Sequence, residues 1–155
     1  MDARGGMNSH APEYRNAPLG ITVPTWALGK DVSDVLVIDG RVTNVPLWTA
    51  RTRRERNTGL LGTDNLAGAL WIRHCNMIHT FGMRYAIDAV YVSRKGLVLS
   101  VVHTLPNRVG APRFRASAVV ELNAGVAQRL GLDRGSIVSS ATQWRSDTLN
   151  RTKHS

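Results

Sequence analysis

The sequence predicts a mainly β domain of the α+β class, with a compact, partly closed, barrel-like antiparallel sheet and two short peripheral helices. Two observations support this fold. Runs rich in β-branched and aromatic residues are separated by turns that contain glycine, which is the pattern of hairpins. These runs do not alternate regularly with helical segments, as the strands of a parallel sheet would. Hydrophobic residues make up 43% of the 155 residues and charged residues 20%, which is ordinary for a folded domain.

Two hairpins are predicted from their turns. Asp39-Gly40 stands between two β-rich runs, and a type I′ turn, which needs positive φ at both central residues, favours this pair. A second hairpin is expected where residues 87–92 and 97–102 flank a turn with Gly96. Further strands are predicted over 69–72, 118–122 and 137–140.

The two predicted helices are short. Thr52 and Glu55 have the spacing of a capping box, and Gly59 ends the helix that they begin. Its first turn is rich in arginine, which opposes the helix dipole and favours a functional or packing role for these side chains. The second helix is predicted over 124–130, before Gly131.

The chain is predicted to contain one globular domain over residues 31–143. Residues 1–30 combine Pro and Gly with no hydrophobic periodicity, which predicts a flexible arm, and 144–155 predicts a flexible polar tail. The single cysteine, Cys75, excludes a disulfide scaffold and a multi-cysteine zinc site. Neither a membrane span nor a signal peptide is predicted, so the expected compartment is the cytoplasm.

The net charge of +9 is unevenly distributed. Residues 91–120 carry five basic side chains and no acidic one, and a second basic group lies at the start of the first helix. If the two groups share a face, they would attract an anionic partner; otherwise they are scattered solubilising charges. No helix-turn-helix or ribonucleoprotein motif is present, so a nucleic acid is kept only as a second alternative partner.

Four segments, in order, resemble one bacterial and archaeal family. They are Glu55-Arg56 with Gly59 to Gly62, then Cys75 to Val92, then Ser93 to Pro106, and finally Val119 to Gly125 with Leu130-Gly131-Leu132. Together they resemble the family called domain of unknown function 192 over about 45–141. The resemblance implies a compact, mostly β fold with barrel-like curvature and no established activity. Thr63 and Ser136 depart from the family pattern, which often has a basic residue and an aspartate there.

The leading functional hypothesis is a small, non-enzymatic binding or accessory domain. Its site would be the loop His79–Arg84, because binding residues concentrate on loops between strands. Phe81 and Met83 could contact an apolar ligand or partner, or they could simply close the end of the barrel. Arg84 could pair with a carboxylate or phosphate. The candidate residues are His79, Thr80, Phe81, Met83 and Arg84, with Arg53, Arg56 and Asp88 nearby. No cofactor is predicted, and the ligand is an unidentified small molecule or protein.

The alternative is an enzyme in which Cys75 is the nucleophile, His79 the base and Asp88 the group that orients the base. His74 is not expected to be the base, because adjacent side chains on a strand point to opposite faces.

A metal site is a weaker hypothesis. His74, Cys75 and His79 could supply ligands, with Asp88 or His103 completing a set, but their spacing matches no standard zinc motif.

Two acidic residues lie inside apolar runs. For Asp88, an ion pair with Arg56 or Arg84 is expected in preference to a role as a catalytic acid. Glu121 either lies on a polar strand face or is buried with a partner.

Overall fold

A computed structural model describes residues 20–153. This part of the chain contains seven strands in one sheet and three short α-helices. The strands are β1 (Val35–Ile38), β2 (Arg41–Ala50), β3 (Ala69–Arg73), β4 (Ile87–Val92), β5 (Val98–Thr104), β6 (Ala118–Asn123) and β7 (Val138–Ser140). The helices are α1 (Arg53–Thr58), α2 (Val126–Arg129) and α3 (Ala141–Thr152), preceded by a 3-10 turn (Thr25–Ala27). The mainly β prediction is confirmed.

Both predicted hairpins are present. β1 and β2 pair in antiparallel fashion, and the residues that join them, Asp39 and Gly40, have φ values of 50° and 75°. These positive values at both positions are those of the predicted type I′ turn. β4 and β5 form the second hairpin, with Gly96 at φ 83° in its turn.

The sheet runs in the order β5-β4-β6-β3-β2-β1-β7, and its two edge strands approach each other. A single bridge joins Leu97 to Ile137. Beside it, the amide of Val98 donates to the Ser136 carbonyl at 2.8 Å, and that of Val138 to the Gly96 carbonyl at 2.9 Å. The edges therefore meet at one point without a continuous ladder, which fits a partly closed barrel.

One strand pair is parallel, in contrast to the hairpin order that the sequence indicates. β2 and β3 run side by side from Leu47 with Ala69 to Ala50 with Ile72, and α1 lies in the connection between them. This βαβ crossover is not evident in the sequence, because α1 has only 6 residues and leaves little helical periodicity. The other pairs among the described strands are antiparallel.

The two faces of the sheet are both covered. Successive side chains of a strand point to opposite faces, and each face has its own core. The inner core contains side chains from all seven strands, including Leu36, Leu47, Ala69, Val90, Val98, Val120, Leu122 and Val138. The outer core contains Trp48, Leu70, Ile72, Ala89, Tyr91 and Val119, covered by Leu60, Ile78 and Met83 from the connecting segments. The candidate site described below lies on the outer face.

The chain before residue 31 contributes to the domain. The predicted arm covered 1–30, of which 1–19 lie outside the described residues. Within 20–30, Ala27 is buried in the outer core, the Trp26 indole donates to the Gly59 carbonyl at 3.2 Å, and the Asp64 amide donates to the Ile21 carbonyl at 2.8 Å. Residues 20–30 therefore pack against the domain that is predicted to begin at residue 31.

The helix α3 overlaps the segment 144–155, which the sequence predicts to be a flexible polar tail. The Ser140 hydroxyl accepts a hydrogen bond from the Gln143 amide at 3.1 Å and caps this helix. Ala141 is its one buried residue, so the sequence carries no apolar stripe that would indicate a helix. Among residues 20–153, no helix has the length and apolar character needed to cross a membrane.

Candidate functional site

The first wall of the site is α1 and the turn that follows it. The predicted capping box is present: the Thr52 hydroxyl accepts from the Glu55 amide at 3.1 Å, and the Glu55 carboxylate accepts from the Thr52 amide at 3.0 Å. The bond from the Thr52 amide lowers the pKa of the Glu55 carboxyl, as does its bond from the Arg51 amide. The helix ends at Gly59, so the chain turns there and places Leu60 in the outer core.

The second wall is the segment over residues 74–86, here called the 74–86 loop. β3 ends at Arg73, and His74 has a positive φ of 53°, which takes the chain out of the strand. The loop is held by backbone hydrogen bonds to residues 105–113. The Thr80 amide donates to the Arg108 carbonyl at 2.8 Å, and the Gly110 amide donates to the Ile78 carbonyl at 2.9 Å. The loop is thus a fixed part of the fold.

A cleft of about 200 Å³ lies between these two walls. Its apolar lining is supplied by Leu60, Leu61, Ile72, Met77, Ile78 and Met83. Its polar and ionisable side chains are those of Arg56, Asn57, Thr58, His74, Cys75, His79 and Glu121. Glu121 is the one acidic residue in this lining.

Glu121 lies on β6, one of the central strands, between Leu70 of β3 and Ala89 of β4. Only 4% of its surface is exposed. Within residues 20–153 its carboxyl has no hydrogen-bond donor and no ion-pair partner. Burial raises its pKa from 4.5 to about 7. An unpartnered carboxyl at such depth is costly, and this one faces a cleft that a ligand could enter.

Cys75 also lines the cleft, and its thiol is not activated. The Sγ atom donates to the Met77 carbonyl at 3.1 Å. Burial raises the pKa of the thiol, and the charge of Glu121 adds to this, while the charge of Arg56 opposes it. A reactive cysteine needs a lowered pKa, so this environment does not favour a nucleophile.

Only some residues of the predicted loop His79–Arg84 line the cleft. His79 and Met83 line the cleft, His79 exposed and Met83 only 8% exposed. Phe81 is 52% exposed and lies outside the lining, with its ring centroid 5.6 Å from that of His79. Phe81 therefore lies beside the imidazole and is open to solvent.

Thr80 is fully buried and has a structural role. Its hydroxyl donates to the Leu105 carbonyl at 2.6 Å and accepts from the Arg108 amide at 2.9 Å. These bonds join the 74–86 loop to the segment after β5, and they leave the hydroxyl unavailable to a ligand.

Two predicted arginines do not line the cleft. Arg84 forms an exposed ion pair with Asp64. The backbone hydrogen bond from Ile21 and the contact with Arg84 lower the pKa of Asp64. Arg53 is exposed in the first turn of α1. Arg56, one turn further along that helix, is the predicted arginine that reaches the cleft.

Asp88 lies on the inner face of the sheet. It pairs in register with Leu122, so its side chain is on the face opposite to that of Glu121. Its Oδ2 accepts from the amides of Gly125 at 2.9 Å and Ala127 at 3.1 Å, and its Oδ1 lies 3.5 Å from the His103 Nδ1. It lines a separate cavity of about 410 Å³ beside α2.

The structure therefore corrects the interpretation of Asp88. The prediction that Asp88 forms an ion pair with Arg56 or Arg84 is wrong, because backbone amides at the start of α2 donate to its carboxylate. The proposed set of Cys75, His79 and Asp88 is not assembled, since the sheet separates the aspartate from the other two.

His74 differs from expectation as well. Because β3 ends before it, His74 and Cys75 line the same cleft rather than opposite faces. Within the described residues, no three or more His, Cys, Asp or Glu side chains are grouped so that they could hold a metal ion.

Glu121 lines the cleft but is not among the predicted site residues. The available signal was a single carboxylate inside the run Val119 to Leu122, which is otherwise apolar on both faces of the strand. Such a strand lies between two others, and an acidic residue there is buried whichever way it points.

Comparison with known proteins shows two solved structures with this fold. One is a candidate transcription regulator from Sinorhizobium meliloti 1021, with a TM-score of 0.61 and 17% identity, covering 72% of this chain and 96% of its own. The other is a protein of unknown function from Novosphingobium aromaticivorans DSM 12444, with a TM-score of 0.63 and 20% identity, covering 79% and 94%. At these identities the likeness shows the fold alone.

No curated protein matches the sequence. The sequence model of one family, described as uncharacterized ACR, matches residues 35–140, which is more than half of the chain. It is the family that the four motifs resemble. The chain therefore belongs to the family domain of unknown function 192.

Proposed function

We propose that this domain is a non-enzymatic binding module that holds a small molecule in the cleft between α1 and the 74–86 loop. The observation that carries the proposal is the buried, unpartnered carboxyl of Glu121 facing that cleft. A ligand that donates a hydrogen bond to this carboxyl would supply the partner that the described protein residues do not provide.

The size of the cleft limits the ligand. Its volume of about 200 Å³ equals the share of roughly seven water molecules in the liquid. This space suits a molecule of about ten non-hydrogen atoms or fewer, well below the size of a dinucleotide. The apolar walls and the few polar groups are typical of small-ligand sites.

A second candidate is an enzyme in which Glu121 transfers a proton. The pKa of about 7 is suited to general acid–base chemistry near neutral pH. In this candidate the reactive group is the Glu121 carboxyl and not the Cys75 thiol, because the thiol donates a hydrogen bond to the Met77 carbonyl. The binding proposal requires only the geometry of the cleft and is the simpler of the two.

The predicted anionic partner would bind a different surface of the domain. Arg53, Arg54, Arg108 and Arg115 are exposed, but nothing in the fold assigns them a polymer or a protein. This partner stays a prediction.

The binding proposal can be tested by NMR with isotopically labelled protein. The probes are small amines, alcohols, carboxylic acids and α-amino acids of up to about ten non-hydrogen atoms. A probe that binds in the cleft shifts the amides of residues 56–61 and 74–79. We expect Glu121→Gln to weaken its binding by about tenfold.

The control is Asp133→Asn, which changes an exposed carboxylate away from the cleft. This variant should bind the same probes with unchanged affinity. If no probe shifts the cleft amides, or if Glu121→Gln binds as well as the wild type, the proposal is wrong.

A further inference from the structure

We infer that the ligand of this cleft is a small zwitterion, an α-amino acid with an apolar side chain, whose amine meets Glu121 and whose carboxylate meets Arg56. The inference rests on the proposed binding function and names the class of ligand. It follows from the positions of the two charges and from the character of the walls between them.

The negative end of the cleft is Glu121. An ammonium group has three N–H donors and a positive charge, so it satisfies a carboxylate better than a neutral hydroxyl does. Burial makes this preference stronger, because an ionised carboxylate without a cation is unfavourable in a low-dielectric environment. Among residues 20–153, no other acidic side chain lines the cleft to compete for the amine.

The positive end is Arg56 with the imidazoles of His74 and His79, which all line the cleft. One guanidinium nitrogen of Arg56 donates to the Arg51 carbonyl, which fixes the side chain. The remaining N–H groups match the geometry of a carboxylate. The histidines can add N–H donors at the same end.

The two ends are separated within the cleft. Among the described residues, Arg56 and Glu121 form no ion pair with each other. Arg56 lies on α1 and Glu121 on β6, and both side chains line the cleft. A ligand that bridges the two ends must carry opposite charges a short distance apart, as an α-amino acid does.

The apolar walls of the cleft select the side chain of the ligand. Leu60, Ile72, Ile78 and Met83 are buried apolar residues that line the cleft. They would contact an aliphatic side chain, and the cleft of about 200 Å³ limits its length. L-Leucine, with its aliphatic side chain, is therefore the probe of choice.

The test compares three matched molecules on the wild-type protein near pH 7.5, by calorimetry with NMR mapping. They are L-leucine, isoamylamine, which lacks the carboxylate, and 4-methylpentanoate, which lacks the amine. We expect L-leucine to bind at least about tenfold more tightly than either of the others. Equal affinity for L-leucine and either single-charge molecule would overturn the inference.

Variants of the protein test which residue contacts each charged group of the ligand. Glu121→Gln should weaken L-leucine and isoamylamine by about tenfold and leave 4-methylpentanoate unchanged. Arg56→Gln should weaken L-leucine and 4-methylpentanoate and leave isoamylamine unchanged. Arg56→Lys keeps the charge and provides a second variant if Arg56→Gln is unstable. The control is Arg53→Gln, an exposed arginine on the same helix, which should have no effect.

The outcomes separate this inference from the proposed function. If other small probes bind in the cleft and L-leucine does not, the zwitterion inference is wrong and the binding function stands. If neither L-leucine nor any other probe shifts the cleft amides, both are wrong. An unchanged affinity of both Arg56 variants for L-leucine would also overturn the inference.

Discussion

Glu121 destabilises the folded protein at neutral and higher pH. Burial raises its pKa from 4.5 to about 7, so the folded state holds this proton more tightly than the unfolded state does. The stability associated with the protonated form is complete below pH 4.5 and is lost as the pH rises to about 7. A shift of this size corresponds to roughly 3 kcal/mol.

Glu121→Gln should remove this pH dependence. We expect the variant to gain roughly 3 kcal/mol relative to the wild type between about pH 5 and pH 8, because glutamine does not ionise. Urea unfolding at the two pH values measures the difference. Asp133→Asn should show no such gain. A constant difference between Glu121→Gln and the wild type at both pH values would contradict the account.

The ionisable groups near Glu121 should not obscure this result. Burial raises the pKa of Cys75, Tyr85 and Tyr91, so all three stay neutral at pH 8. The Glu121 charge acts on each of them. The histidines and the arginine of the cleft are present in both proteins, so they are matched in the comparison.

The roles of Asp88 and Glu121 could be predicted only in part from the sequence. Both lie in apolar runs, and the sequence alone offers arginines as partners for either. Asp88 instead accepts from the amides of Gly125 and Ala127, 37 and 39 residues away along the chain. Which face of the sheet each carboxylate occupies depends on strand register, and register is set by the whole sheet.

At the scale of elements, local chemistry made some features predictable. The type I′ turn at Asp39-Gly40 and the capping box at Thr52 depend on residues within a few positions, and both are present. The parallel pairing of β2 with β3 and the helix α3 depend on distant contacts or weak patterning. Those two were missed for that reason.

The β4–β5 turn joins the two edges of the sheet, and Gly96 is needed there. A β-carbon at Gly96 would lie 2.4 Å from the Val138 carbonyl oxygen of β7. Gly131 has a similar positive φ, 70° against 83°, but a β-carbon there would meet no atom within 4 Å. Both glycines thus have a positive φ, but only at Gly96 would a β-carbon clash with another part of the chain.

Gly96→Ala should therefore be more destabilising than Gly131→Ala. Both variants should lose about 1 kcal/mol to backbone strain. We expect Gly96→Ala to lose roughly 2 kcal/mol more, because it displaces β7 from the turn. Denaturant unfolding of the two variants measures this difference. Equal losses would show that contact between the sheet edges contributes little to stability.

For the whole molecule, the important feature is the division between the two faces of the sheet. The inner face packs side chains from every strand into a core that closes the fold. The outer face is covered by α1, the 74–86 loop and the segment before β1, and its packing leaves the cleft above Glu121. The sequence motifs that mark the family fall on both faces, so they indicated the fold more clearly than the site.

The central claim is that Glu121 is a ligand-binding carboxyl without a protein partner. The most direct measurement is a carbon-13 NMR titration of its side-chain carboxyl, with and without saturating L-leucine. We predict a pKa of about 7 in the free protein, and a lower pKa with L-leucine because the ammonium group stabilises the carboxylate. A pKa near the ordinary 4.5 in the free protein, or one that L-leucine leaves unchanged, would contradict the account.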